Sequence, residues 1–220
     1  MQFGILWDLD GTIVDSVKSF CLAMNRTLEK LGSDKRISCE EYNTRFFGTT
    51  FPEILDQFLG WDLSQSEKQE ISADFFSDSR KLALEGNLTL INGIETFLNE
   101  MKTHQVPMAI ASSSNLEMIL GELEAFHLLP YFDNIISGNL LPSKPAPDVF
   151  QVAAASLSLK PAECIVFEDS IAGVQAAKTA GMKCIAITTS KSADQLRKAD
   201  WIINGYDEVN FEKILALLEA

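Results

Sequence analysis

Apolar residues in this chain follow two rhythms. Some stretches are short and almost continuously apolar: Phe3 to Trp7, Val106 to Ala111, Cys164 to Phe167 and Lys183 to Ile187. Runs of this length without polar alternation predict parallel strands buried on both faces. Asn134 to Ser137 and Trp201 to Ile203 add two shorter strands. Elsewhere apolar residues recur at spacings of three and four, the mark of a helix with one buried face. Val17, Phe20, Met24, Leu28 and Leu31 form one such series, stopped at Gly32. Ser38 to Glu41 and Ser64 to Glu67 are capping-box patterns that open further helices. Phe46 to Phe51 reads as a loop, with Pro52 suited to the next first turn. The helix after Ser64 carries Ile71, Phe75, Leu82 and Leu84 and ends near Gly86.

Residues 17–86 therefore read as wholly helical, whereas strands and helices alternate from there to the end. Helices are predicted around Ile94–Met101, Leu116–Leu123, Pro147–Leu157, Ile171–Gly181 and Phe211–Leu218. Such alternation implies an α/β fold, a doubly wound parallel sheet covered on both faces. The helical block interrupts that fold between its first and second strands. The expected organisation is a discontinuous α/β core of 1–16 and 87–220 with a helical cap of 17–86, hinged near 13–17 and 86–92.

Composition narrows the class. The chain has 220 residues, is 46% apolar and carries a formal charge of −13, so it can bury a sizeable core but offers no basic stripe for nucleic acid. No apolar run approaches a membrane span of roughly 20 residues, and the first strand follows Met1 almost at once. A cytoplasmic protein is the expectation, its four cysteines free because they are scattered in sequence and form no CxxC pair. Nothing suggests a coiled coil or repeat, leaving a monomer as the default.

Candidate chemistry sits where the strands end. Asp8 and Asp10 follow the first strand, Ser112 to Asn115 the second, Ser143-Lys144-Pro145 lies beyond the third, and Glu168-Asp169 closes the fourth. Asp8 and Asp10 share one side if the extended geometry persists. Two carboxylates at the end of a buried strand are costly unless a cation sits between them, which suggests a divalent metal. Ligands bind doubly wound sheets outside the carboxyl ends of the strands, so these clusters converge on one crevice.

In order, Asp8-Leu9-Asp10-Gly11-Thr12, Ser112, Lys144 and Glu168-Asp169 resemble the four motifs of the haloacid dehalogenase superfamily. Ser143 to Asp148 and Phe167 to Ser170 look like its β-phosphoglucomutase and phosphoglycolate phosphatase subgroup. The resemblance implies a Rossmann-like core and Mg²⁺-dependent phosphoryl transfer. Asp8 would be the nucleophile, forming an aspartyl-phosphate, and Asp10 the acid/base. Asp8, Asp169 and the backbone carbonyl of Asp10 would ligate Mg²⁺, with Glu168 direct or through water. Ser112 and Lys144 would hold the phosphoryl group, helped by the backbone around Leu9, by Ser113 and Asn115, and by Thr49 from the cap. Dehalogenases lack the second aspartate, so Asp10 argues for phosphoryl transfer.

The expected substrate is a small phosphorylated metabolite, of sugar phosphate or phosphoglycolate type. β-Phosphoglucomutases carry a histidine where counting puts Phe20 and an arginine where this chain has Phe51. Those departures favour a phosphatase over a sugar phosphomutase, although both phenylalanines could be cap packing. A non-catalytic metabolite-binding protein is the alternative from another class. His104 and His127, near helix ends, are expected to be surface or capping residues, and Phe46-Phe47 and Phe75-Phe76 cap core.

Overall fold

A computed structural model of the protein describes residues 3–47, 51–59 and 63–219, with backbone alone at 57–59. In chain order its strands and α-helices are β1 (Gly4–Trp7), β2 (Val14–Asp15), α1 (Val17–Lys30), α2 (Cys39–Arg45), α3 (Phe51–Leu59), α4 (Gln65–Leu82), β3 (Thr89–Leu90), α5 (Ile94–Thr103), β4 (Met108–Ser112), α6 (Leu116–Ala125), β5 (Asn134–Ser137), α7 (Asp148–Ser156), β6 (Cys164–Glu168), α8 (Ile171–Thr179), β7 (Lys183–Ile187), β8 (Trp201–Ile203) and α9 (Phe211–Glu219). Among the described residues no helix is long and apolar enough to cross a membrane.

By contacts the chain divides into two units, Met1–Val14 with Leu90–Ala220, and Asp15–Thr89. The first is α/β. Its six strands lie in the order β5-β4-β1-β6-β7-β8, every pairing parallel. β1 is central: the chain builds outward through β4 to β5 on one side and through β6 to β8 on the other. The order therefore reverses at the carboxyl end of β1, where doubly wound sheets bind their ligands.

Alternation along each strand sends residues to opposite faces. Leu6, Ala109 and Val166 join Val149, Phe150, Ala153, Val174 and Ala177 in one buried layer with α7 and α8. Trp7 faces the other way, stacked on Phe167 at 4.4 Å and edge-on to Phe97 of α5 at 5.9 Å. Both faces are covered, which is why these strands carry no polar alternation.

The second unit contains α1 to α4. The Ser64 capping box is formed in full, and Gly86, at φ 84°, takes the left-handed turn after α4. Phe51 stacks on Phe75 at 3.8 Å, and Phe20 lies 5.8 Å from Phe75 and 6.2 Å from Phe47. Phe20, Phe46, Phe47, Phe51 and Phe75 are all buried, so the two phenylalanines at the departures from the mutase pattern serve packing. Leu84, placed by periodicity on the apolar face, is instead 66% exposed. The α-helix ends at Leu82 and a wider turn over Ala83–Asn87 rotates the face away.

Candidate active site

The carboxyl ends of two neighbouring strands, β1 and β6, bring the acidic residues together. The Asp8 N–H donates to the Phe167 carbonyl of β6 at 3.0 Å, fixing Asp8 beside the end of that strand. Immediately afterwards the chain turns. The Leu9 carbonyl accepts from the N–H groups of Thr12, Ile13 and Val14, and Gly11 sits at φ 83°, where a side chain would be strained. Extended geometry thus ends before Asp10, and the two aspartates engage different partners. Asp10 Oδ2 accepts from the Ser114 hydroxyl at 2.8 Å.

Asp8 Oδ1 accepts from Lys144 Nζ at 2.5 Å, and the same ammonium reaches Glu168 Oε1 at 2.7 Å. The lysine side chain is 7% exposed and its Nζ lies 4.7 Å above the Phe150 ring. Glu168 Oε2 accepts from the N–H groups of Asp169 and Ser170 at 2.8 and 2.7 Å. Asp169 is tied down through its carbonyl, which accepts from Ser190 Oγ at 2.9 Å, while its buried Oδ2 has no hydrogen-bond partner among the described residues. Gly173 on α8 matters here, because a Cβ at that position would overlap the Glu168 carboxylate.

Charge in this cluster is unbalanced. Asp8, Glu168 and Asp169 are all buried and can each offer an oxygen within 4.8 Å of the others, against one ammonium. Burial pushes the Asp8 carboxyl up to about 8; Lys144 opposes the shift and Glu168 adds to it. Asp169 is driven well above the ordinary range by burial, then by the charges of Glu168 and Asp8. Burial disfavours the Lys144 ammonium, but Asp8 and Glu168 outweigh it and raise that group. An orphaned carboxylate oxygen in an all-oxygen, net-negative donor set fits a hard divalent cation such as Mg²⁺. Both Glu168 oxygens already hold donors, which leaves Asp8 and Asp169 the more available ligands.

Other expected residues are placed as follows. Ser112 ends β4, is buried, and its hydroxyl accepts from the Ser114 N–H at 3.1 Å. Ser113 is exposed. Asn115 caps α6, its Oδ1 accepting from the Met118 N–H at 2.9 Å, so that oxygen is committed to the helix. Leu9 contributes backbone, its side chain being wholly buried. Thr49 lies outside the described residues, and Arg45 pairs with Glu41 on α2. His104 stacks on Phe211 at 3.7 Å, and His127 occupies a left-handed turn at φ 57°.

Two residues escaped the sequence reading. Ser114 was only one serine in a row of three, and its role as partner to Asp10 depends on how the loop turns. Glu122, on α6, is 2% exposed and neither side-chain oxygen has a hydrogen-bond partner among the described residues. Burial, then the charges of Asp10 and Asp8, hold its carboxyl well above the ordinary range. Its signal was a glutamate beside the apolar positions Ile119 and Leu123.

Residues 5–187 match the family described as haloacid dehalogenase-like hydrolase. A bifunctional riboflavin kinase/FMN phosphatase of Arabidopsis thaliana is 36% identical over 219 residues, covering 95% of this chain and 55% of that protein. The β-phosphoglucomutase of Bacillus subtilis is 31% identical over 196 residues, covering 83% of this chain and 82% of its own. Among solved structures, CbbY from Rhodobacter sphaeroides in complex with phosphate aligns over 100% of both chains with a TM-score of 0.87 at 28% identity.

Proposed function

Because this chain belongs to the haloacid dehalogenase-like hydrolase family and is an enzyme of its phosphoric monoester hydrolase kind, we propose that it is an Mg²⁺-dependent phosphatase of a small phosphorylated metabolite, acting through an aspartyl-phosphate on Asp8. The observation that carries this reading is the buried set of Asp8, Glu168 and Asp169 around Lys144, with Asp10 held apart from it by Ser114.

Those surroundings support a division of labour. An Asp8 oxygen forms a bond to phosphorus as the bond to the leaving alkoxide breaks, which splits one difficult displacement into two. Asp10 gives its proton to the departing oxygen and takes one back from the water that releases phosphate. The Ser114 hydroxyl holds the Asp10 carboxyl for both transfers. Lys144 orients Asp8 and balances charge on the phosphoryl oxygens, with Ser112, Ser113 and the backbone at Leu9 and Asn115 as further donors. Asp8, Asp169 and the Asp10 carbonyl would hold the metal, with Glu168 direct or through water; when bound, it supplies the positive charge that keeps a buried Asp8 ionised and offsets charge on the phosphoryl group. Residues 17–86 act as a cap that selects the substrate, in a cytoplasmic monomer.

The similarity to β-phosphoglucomutase makes a sugar phosphomutase the second reading, since the same aspartyl-phosphate would serve it. A panel of sugar phosphates, phosphoglycolate and other monoesters, assayed with and without Mg²⁺, decides between them. Metal-dependent release of inorganic phosphate is expected. Isomerised hexose phosphate with little free phosphate would favour the mutase, and turnover of no ester would remove both.

A further inference from the structure

Cys21 and Cys39 stand 18 positions apart, yet the helical unit places their Sγ atoms 2.6 Å from each other. All four cysteines are free thiols here. Cys21 is buried on α1, and Cys39, half-buried, is the first residue of α2. The approach is built into the backbone. Asn25, one turn beyond Cys21, accepts from the Ile37 N–H at 2.9 Å and donates to the Ile37 carbonyl at 2.8 Å and to the Cys21 carbonyl at 3.0 Å. One amide side chain thereby clamps the incoming strap onto α1 two residues before Cys39. Spanning Cys39, the Ser38 hydroxyl accepts from the Glu41 N–H at 3.1 Å and starts α2. Ile37 seals the contact, at 4% exposure.

We infer that Cys21 and Cys39 form a redox-active dithiol that closes to a disulfide in the presence of a low-molecular-weight disulfide such as oxidised glutathione. A covalent S–S bond is about 2.05 Å, so closure asks for little movement of either helix. The order of events follows from exposure. The Cys39 thiolate attacks one sulfur of the oxidant; that S–S bond breaks, and one glutathione leaves and takes a proton. Cys21 then loses its proton and attacks the Cys39 sulfur, expelling the second glutathione. Two protein thiols are oxidised and one external disulfide is reduced to two thiols. Burial, then the hydrogen bond and charge of Cys39, push the Cys21 thiol up to about 12, so it is the second sulfur to react. The closed link ties α1 to α2 across an 18-residue separation. Its formation is read without any activity assay and is independent of the phosphatase reading.

The test treats the full chain and its Cys21→Ser and Cys39→Ser variants with oxidised glutathione and reads intact mass, peptide maps and thermal transitions. The unsubstituted protein is expected to lose two hydrogens, carry no adduct, and join the Cys21 and Cys39 peptides. The thermal transition of the full chain should rise by about 5–10 °C, reversibly on reduction. Cys21→Ser should retain one glutathione on Cys39, and Cys39→Ser should retain none at Cys21. A stable glutathione adduct on Cys39 of the unsubstituted protein, retention of all four thiols, or a link through Cys164 or Cys184 would overturn the inference.

Discussion

Replacing Glu122 with leucine removes a buried acid from the α/β unit. The wild-type carboxyl is 2% exposed with both oxygens unpartnered among the described residues. Burial first, then Asp10 and Asp8, raise it well above its ordinary 4.5. The sign follows directly. Above the ordinary value the unfolded chain releases this proton while the folded protein keeps it, so the wild type loses stability as pH rises until the folded group itself ionises. Integrating the proton difference from about pH 5 to about pH 6 gives a loss of about 1.2 kcal/mol that the leucine variant lacks. A pH-independent gain of about 1–3 kcal/mol is added, because an unsatisfied buried acid is gone. Urea unfolding of both proteins in EDTA, followed by tryptophan fluorescence at the two pH values, measures the gap. Glu122→Leu should be the more stable at both, by a margin that widens with pH. A constant gap, or one that narrows as pH rises, would refute a protonated Glu122.

The remaining predictions concern the acidic cluster. Lys144→Met should cut turnover by about 10²–10³-fold and, by leaving Asp8 and Glu168 without their buried ammonium partner, destabilise the metal-free protein by about 3–5 kcal/mol, measured by urea titration. Gly173→Ala introduces a Cβ into the space of the Glu168 carboxylate. Calorimetric titration should show Mg²⁺ binding weakened by about 10–100-fold although alanine favours the helix. Asp10→Asn should lose about 10²–10⁴-fold in hydrolysis of alkyl phosphates and much less for esters with acidic leaving alcohols. Equal losses across leaving-group pKa would count against its acid role.

Much of the fold was legible because burial dictates pattern. Strands covered on both faces cannot carry polar positions, so β1 and β6 announced themselves as apolar runs ending in carboxylates. The long helices did so through their spacing. The strands β2 and β3 went unseen because two residues hold no period. The relation of Asp10 to Asp8 was read from strand alternation, but the turn closed on the Leu9 carbonyl decides it. Asn115 has the same residue type as a phosphate donor and as a helix cap, and only the backbone shows its Oδ1 committed to the Met118 N–H. The nearness of Cys21 and Cys39 was hidden for a different reason. It depends on Asn25 clamping Ile37, a contact across 12 positions that neither helix periodicity nor cysteine spacing encodes.

The central claim is a covalent phosphoryl group on Asp8. Acid-quenching the enzyme during turnover of a phosphomonoester with Mg²⁺, and mapping its peptides by mass spectrometry, tests it most directly. The account predicts one phosphoryl group on the peptide that carries Asp8, lost together with turnover in Asp8→Asn. Substantial turnover in that variant, or a phosphoryl group on any other residue, would contradict it.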